Sequence, residues 1–390
     1  MIKVLHVVTG LNVGGSEMML YRFLSRSERT AFEHRVISLI DVGTIGEKIR
    51  GLGVTVRALG MTRGVANPIG LFRLAHWLRQ DPPAVMQTWS YHSNLIGGIA
   101  AKMAGRLPVV WGLRTSNPHP KAKRTTLWTA RACARLSCWL PTRIVSCSDM
   151  LREVHKGLGY PDDKTLVIPN GVDTQEFVPS NIARAAVRAE LGISDRIALI
   201  GLIARFDLQK NHQCFIAAAA MLSAQVPDIH FLLCGRGIEW TNQTLAGWIR
   251  SAGIENRCHL LGPREDIPQL MAALDIAALS SSGEGFPNVV IEAMACGIPC
   301  AVTDVGGCSF VVGDTGRVVP TQDSAALARA LGELVELGSE QRNSLGVAAR
   351  RRVEEHFSLD AVVTKYQDLY QELASEDEGG IANCAHQFSS

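Results

Sequence analysis

Two glutamates, Glu284 and Glu292, stand at the two ends of the segment EGFPNVVIE. Gly285 and Phe286 form a loop that leads to Pro287, a residue suited to the first position of a helix. The backbone amides of Asn288, Val289 and Val290 are then expected as unpaired helix-start donors, able to hold an anion such as a diphosphate. Glu292 follows Asn288 by four residues and Val289 by three, so it shares their helical face. The helix is otherwise apolar, and a lone carboxylate on an apolar helix is costly without a partner. A single acid here would merely complement the positive helix end. Two acids around EGFPN point to a ligand.

A second cluster is ARFDLQKN (204–211), where Arg205 and Lys210 flank a short loop between a strand and a helix. Two cations beside a helix start repel its positive end unless an anion lies between them. A third is VGGSE (13–17), in which a first strand runs into Gly14 and Gly15, which let a substrate approach the backbone closely. Ser16 is the expected N-cap and Glu17 belongs to the first turn. This glycine loop is not GxGxxG, so it gives no reason to infer a dinucleotide.

These residues need elements to hold them. Apolar runs such as KVLHVVT (3–9), IALIGLI (197–203) and IHFLLCG (229–235) alternate with helical patterns almost throughout. That alternation predicts parallel sheets covered on both faces. It restarts after PNGVDTQEFVPS (169–180), a segment rich in turn residues that reads as a linker. The expectation is two doubly wound domains, 1–172 and 173–355, followed by a helix over 356–373 that returns to the first domain and a disordered tail over 374–390. Twelve strands are read, none of them after Pro320.

Composition narrows the function. The chain has 390 residues, 47% hydrophobic and 19% charged, with a net charge of +2. That balance argues against a general nucleic-acid binder. No uncharged apolar run reaches the ~20 residues needed to cross a bilayer. The N-terminus lacks a secretory cleavage pattern, and ten scattered cysteines without CxxC suggest a reduced, cytoplasmic setting and no zinc site.

Taken together, VGGSE, IPNGVDTQEF (168–177), ARFDLQKN, EGFPNVVIE and AMACGIPCAVTDVGG (293–307) resemble the retaining glycosyltransferases of family 4, over about residues 1–372. The resemblance implies a GT-B fold, two Rossmann-like domains facing a central cleft with a helical C-terminal segment. It implies transfer of a sugar from a nucleotide-sugar donor, with UDP preferred, to a lipid-linked glycan acceptor in surface polysaccharide synthesis. Domain 1–172 would bind the acceptor and domain 173–355 the nucleotide sugar, with Gly14, Gly15, Ser16 and Glu17 as an acceptor or phosphate loop. By the same resemblance Glu284 contacts the donor sugar and Glu292 the ribose hydroxyls. Arg205 and Lys210 are its diphosphate-binding cations, and the amides of Asn288 and Val289 hold diphosphate. No DxD motif occurs, and no metal or other cofactor is expected. Where relatives carry a histidine near the reacting sugar, this chain has VWGLRTSNP (110–118), so Arg114 is the candidate phosphate contact; His92 and His119 are lesser ones. Two rivals are a non-hydrolysing nucleotide-sugar epimerase and a non-catalytic sugar-nucleotide-binding protein. The EGFPNVVIE block argues against the first and the complete set of four charged residues against the second.

One asymmetry stands apart. Between Pro82 and Ser148 there is no Asp or Glu, yet nine bases occur. At about 100° per residue, Arg124, Arg131 and Arg135 form one helical stripe, with Trp128 and Trp139 beside it. With Lys121 they suit the headgroup level of an anionic membrane, which predicts a peripheral protein on the inner face of the plasma membrane. No nucleic-acid motif accompanies them.

Overall fold

The computed structural model describes residues 1–62, 67–105, 107–115 and 124–387, with 377–387 as backbone alone. The chain divides into two compact units, Met1–Asn170 with Leu359–Ser390, and Gly171–Ser358. Each is an all-parallel sheet with helices.

The first unit contains β1 (Ile2–Val8), β2 (Phe32–Ser38), β3 (Thr55–Ala58), β4 (Val85–Thr88), β5 (Val109–Leu113), β6 (Arg143–Ser146) and β7 (Thr165–Val167), in spatial order β3-β2-β1-β4-β5-β6-β7. The second contains β8 (Ala198–Ile203), β9 (Ile229–Cys234), β10 (Cys258–Leu260), β11 (Ile276–Leu279), β12 (Cys300–Thr303) and β13 (Arg317–Val319), ordered β10-β9-β8-β11-β12-β13. The strands β4, β5, β11 and β12 are buried from end to end, as strands covered on both faces must be. The strand absent from the sequence reading is β13, only three residues long. It is held at the sheet edge by pairing with β12.

In each unit the strand order reverses once, between β1 and β4 and between β8 and β11. Ligands of doubly wound sheets bind beyond the carboxyl ends of the strands at such a switch point. The core of the second unit gathers Ile200, Leu202, Phe215, Phe231, Leu233, Leu327 and Leu331. That of the first gathers Phe23, Val36, Trp89, Tyr366 and Tyr370.

The last helix, Leu359–Gln387, belongs to the first unit. Leu359, Val362, Val363, Tyr366, Leu369, Tyr370 and Leu373 recur at helical spacing and are all buried. The helix runs on past Ala374, where the sequence led us to expect a disordered tail. Arg143 on β6 pairs with Glu372 at 3.0 Å and Glu376 at 3.7 Å, which ties down the turn where the apolar period stops.

Candidate active site

Arg205 follows β8, and the loop Leu208–Lys210 after it makes one 3-10 turn. Asp207 caps that turn, accepting from the Gln209 amide at 2.9 Å, and lies 3.4 Å from Arg205 Nε. Burial opposes its charge, but the Gln209 amide and Arg205 outweigh it and hold the carboxyl below its ordinary value. Asn211 then takes a left-handed conformation (φ 49°) and caps the helix His212–Ser223 through its side chain. Gly235 makes room for this loop, because a Cβ there would lie 2.4 Å from the Ala204 carbonyl oxygen.

Across the switch point, β11 ends at Leu279 and leads into Ser280 and Ser281, both fully buried. Ser280 Oγ donates to the Lys210 carbonyl at 2.9 Å, and the Ser282 amide donates to the Gln209 carbonyl at 2.8 Å. The two loops are thereby stitched together. Lys210 Nζ reaches Glu284 Oε1 at 2.5 Å, and Ser281 Oγ donates to the same oxygen at 2.6 Å. Lys210 and Glu284 keep only 18% and 12% of their side-chain surface, so the pair is strongly sheltered from water. From the loop after β12, Gly306 (φ 59°) abuts Glu284 so closely that a Cβ would lie 2.5 Å from the Glu284 Cβ. Arg205, 46% exposed, stays accessible beside them.

The helix carrying Glu292 runs Asn288–Ala295, one residue later than expected, with Pro287 as its N-cap. Two of its three first-turn amides are already used. That of Asn288 donates to the Phe286 carbonyl at 3.0 Å and that of Val290 to the Pro287 carbonyl at 2.9 Å. The tight turn that Pro287 imposes folds these amides back on the chain. The expectation of an unpaired Asn288 amide is therefore corrected; among the described first-turn amides, that of Val289 has no backbone acceptor. Phe286 and Pro287 are buried, and Phe286 packs on Phe357 at 5.9 Å, which makes it a wedge under the loop rather than a ligand contact. Gly285, Asn288, Val289 and Glu292 remain partly exposed.

In the first unit the loop after β1 leads to the helix Gly15–Arg26, whose N-cap is Gly14 and not Ser16. Glu17 folds its carboxylate back over Gly14, 2.3 Å from where a Cβ would stand, so a side chain at the cap position would displace that carboxylate. Thr9 and Ser90, which the sequence did not single out, meet across this switch point at 2.6 Å.

Arg114 departs from expectation. It is 7% exposed, hydrogen-bonded to Asn170 Oδ1 at 2.5 Å and to the Tyr366 hydroxyl, and its guanidinium lies 4.6 Å over the Trp89 ring. Those commitments tie β5 to the last helix, and its expected contact with a phosphate is withdrawn. Beside it, Trp89 Nε1 donates to His6 Nδ1 at 3.3 Å. An indole can only donate, so His6 Nε2 carries the proton shared with His34 Nδ1 at 3.0 Å, and His34 Nε2 donates to Ser27 Oγ at 2.6 Å. Burial and, for His34, the nearby Arg29 push both imidazoles down, His34 to about 4.

The helix Arg124–Leu136 exposes Arg124, Trp128, Arg131 and Arg135, with Trp128 68% and Trp139 77% exposed. Its buried Cys133 donates to the Tyr91 carbonyl at 3.3 Å. Lys121 and His119 lie outside the described residues, and His92 opens the helix Tyr91–Ala104. Among the described residues no helix is long and apolar enough to cross a membrane, and no three metal-binding side chains cluster.

Comparison with known proteins gives this geometry a family. Residues 13–176 match the model described as "Glycosyltransferase Family 4" and residues 197–336 that described as "Glycosyl transferases group 1". The chain belongs to the family 4, group 1 glycosyltransferases. This glycosyltransferase is 26% identical over 326 residues to the Escherichia coli UDP-Gal:alpha-D-GlcNAc-diphosphoundecaprenol alpha-1,3-galactosyltransferase, covering 81% of this chain and 82% of that one. It is 30% identical over 233 residues to the N-acetyl-alpha-D-glucosaminyl L-malate synthase of Bacillus anthracis, a match spanning 59% of each chain. In fold it resembles Anabaena Alr3699/HepE, solved in complex with UDP and glucose, at a TM-score of 0.83, 22% identity and coverage of 95% and 100%. The clustered Arg205, Lys210, Ser281 and Glu284 fall within the group 1 match. Sequence reasoning found three of them and missed Ser281, whose signal was the serine run before GEGFP.

Proposed function

We propose that this family 4 glycosyltransferase moves a sugar from a UDP-sugar to a lipid-diphosphate-linked saccharide, with retention of anomeric configuration and without a metal, in surface polysaccharide synthesis. The observation that carries the reading is the gathering of Arg205, Lys210 and Glu284 at the β8/β11 switch point. As the bond to the donor breaks, negative charge develops on the departing diphosphate. Preorganised cations in a sheltered site stabilise such charge at no cost of reorganisation. The Lys210 ammonium has three N–H donors and Glu284 takes one, which leaves two for phosphate oxygens. The Val289 amide and the positive end of its helix add to them. Arg205 and Lys210 thus supply the electrostatics that a divalent ion supplies elsewhere. Glu284, fixed at its Oε1, presents its other oxygen to a sugar hydroxyl, and Glu292 serves the ribose.

The name of the Escherichia coli relative supports both the UDP-linked donor and the diphosphoundecaprenol-linked acceptor. The exposed Trp128 and Trp139 beside Arg124, Arg131 and Arg135 fit an anionic membrane surface, which would bring the enzyme to such an acceptor at the inner face of the plasma membrane. The test is incubation with a panel of UDP-sugars and a diphosphoundecaprenol-linked GlcNAc acceptor, followed by mass spectrometry and NMR of the new linkage. One donor should yield an extended acceptor with the donor's anomeric configuration. An epimerised nucleotide sugar, inversion, or binding without turnover would overturn it.

A further inference from the structure

We infer that Ser281 is a positioning residue for the reaction, holding the Glu284 carboxylate in place for the donor sugar once Lys210 is engaged by the diphosphate. The inference rests on the role of Glu284 proposed above. Ser281 Oγ and Lys210 Nζ converge on one oxygen, Glu284 Oε1, at 2.6 and 2.5 Å. Among the described residues Oε2 accepts nothing from the chain. A carboxylate held through one oxygen keeps the other aimed, and a hydrogen bond to a charged group is the stronger kind.

The two donors differ in how firmly they are mounted. Lys210 sits at the end of four rotatable methylenes and is the group that a diphosphate attracts. Ser281 is fully buried, its hydroxyl one methylene from the chain, and its carbonyl accepts from Thr303 Oγ1 at 2.7 Å at the end of β12. When Lys210 shares its other two N–H donors with phosphate and is drawn toward it, Ser281 is the donor whose position does not change. Gly306 closes the far side of Glu284, so the acid keeps its place by the serine hydroxyl and by steric contact.

The experiment compares Ser281→Ala, Ser281→Thr and Glu284→Gln in UDP release from the UDP-sugar most active in the panel, with UDP binding measured by calorimetry. Ser281→Ala should lose about 10-fold to 100-fold in kcat/KM for the donor, as for one hydrogen bond to a charge. It should bind UDP, which lacks the sugar, with unchanged affinity, and Ser281→Thr should recover most of the loss. Full activity in Ser281→Ala with an impaired Glu284→Gln would overturn the inference alone. Loss of UDP binding in Ser281→Ala without rescue by threonine would reduce Ser281 to a loop anchor and overturn it too. Full activity in Glu284→Gln would remove the reading of Glu284 and the inference with it.

Discussion

Lys210 is the single residue on which most of the electrostatics converge, because it is both sheltered and bonded to Glu284. Lys210→Ala should lower kcat by on the order of 10²–10³, the range for losing one preorganised charge stabiliser. Steady-state kinetics checks this, and a variant as fast as wild type would return Lys210 to the ordinary surface charges. A second residue-scale expectation concerns His34. Its folded-state pKa lies at about 4, below the 6.5 of the unfolded chain. As pH falls through that window the unfolded state takes up the proton first, so stability is full above it and declines downward. His6, His155 and His212, likewise pushed down by burial, add to the slope in the same direction. Urea midpoints measured across the window should rise with pH and level off, and His34→Gln should flatten the rise. Residue type and spacing singled out Arg205, Lys210, Glu284 and Glu292, and the structure brings Lys210 and Glu284 into contact. Arg114 was misjudged because its partners, Asn170 and Tyr366, are distant in sequence and only the fold brings them to it.

Strands and helices were legible where the apolar pattern is long. The six- and seven-residue strands β1, β8 and β9 declare themselves by long, mostly buried apolar runs, whereas β13 is a short edge strand paired with β12 alone. Helix starts depend on local backbone geometry that composition leaves open, which is why Gly14 takes the cap expected of Ser16. The last helix outruns its apolar period, and Arg143 on β6 pairs with Glu372 and Glu376 where that period stops. The helix Arg124–Leu136 was legible as a stripe with Trp128 exposed beside it; the helix ends before Trp139, which is exposed in the turn that follows. Replacing Arg124, Arg131 and Arg135 together by glutamine should weaken flotation with anionic vesicles and raise KM for a lipid-linked acceptor. Solvent-facing charges contribute little to folding, so the melting temperature should hold. Equal flotation of the triple variant and wild type would remove the membrane role from this helix.

At the scale of the molecule, each unit has its own switch point, and the charged residues that the sequence singled out for the donor lie at one of them, β8/β11. Doubly wound topology, read from strand–helix alternation, therefore brings these charged residues to one switch point as well as setting the fold. What it leaves open is which carbonyls and amides are already used within the chain, as at Asn288 and Val290. The central claim is that Arg205 and Lys210 do the work of a metal ion. The most direct measurement is kcat for the active UDP-sugar in the presence of excess EDTA, beside the same enzyme given Mn²⁺. Turnover should survive chelation nearly unchanged and gain little from Mn²⁺. Abolition by EDTA with recovery on adding Mn²⁺ would contradict it.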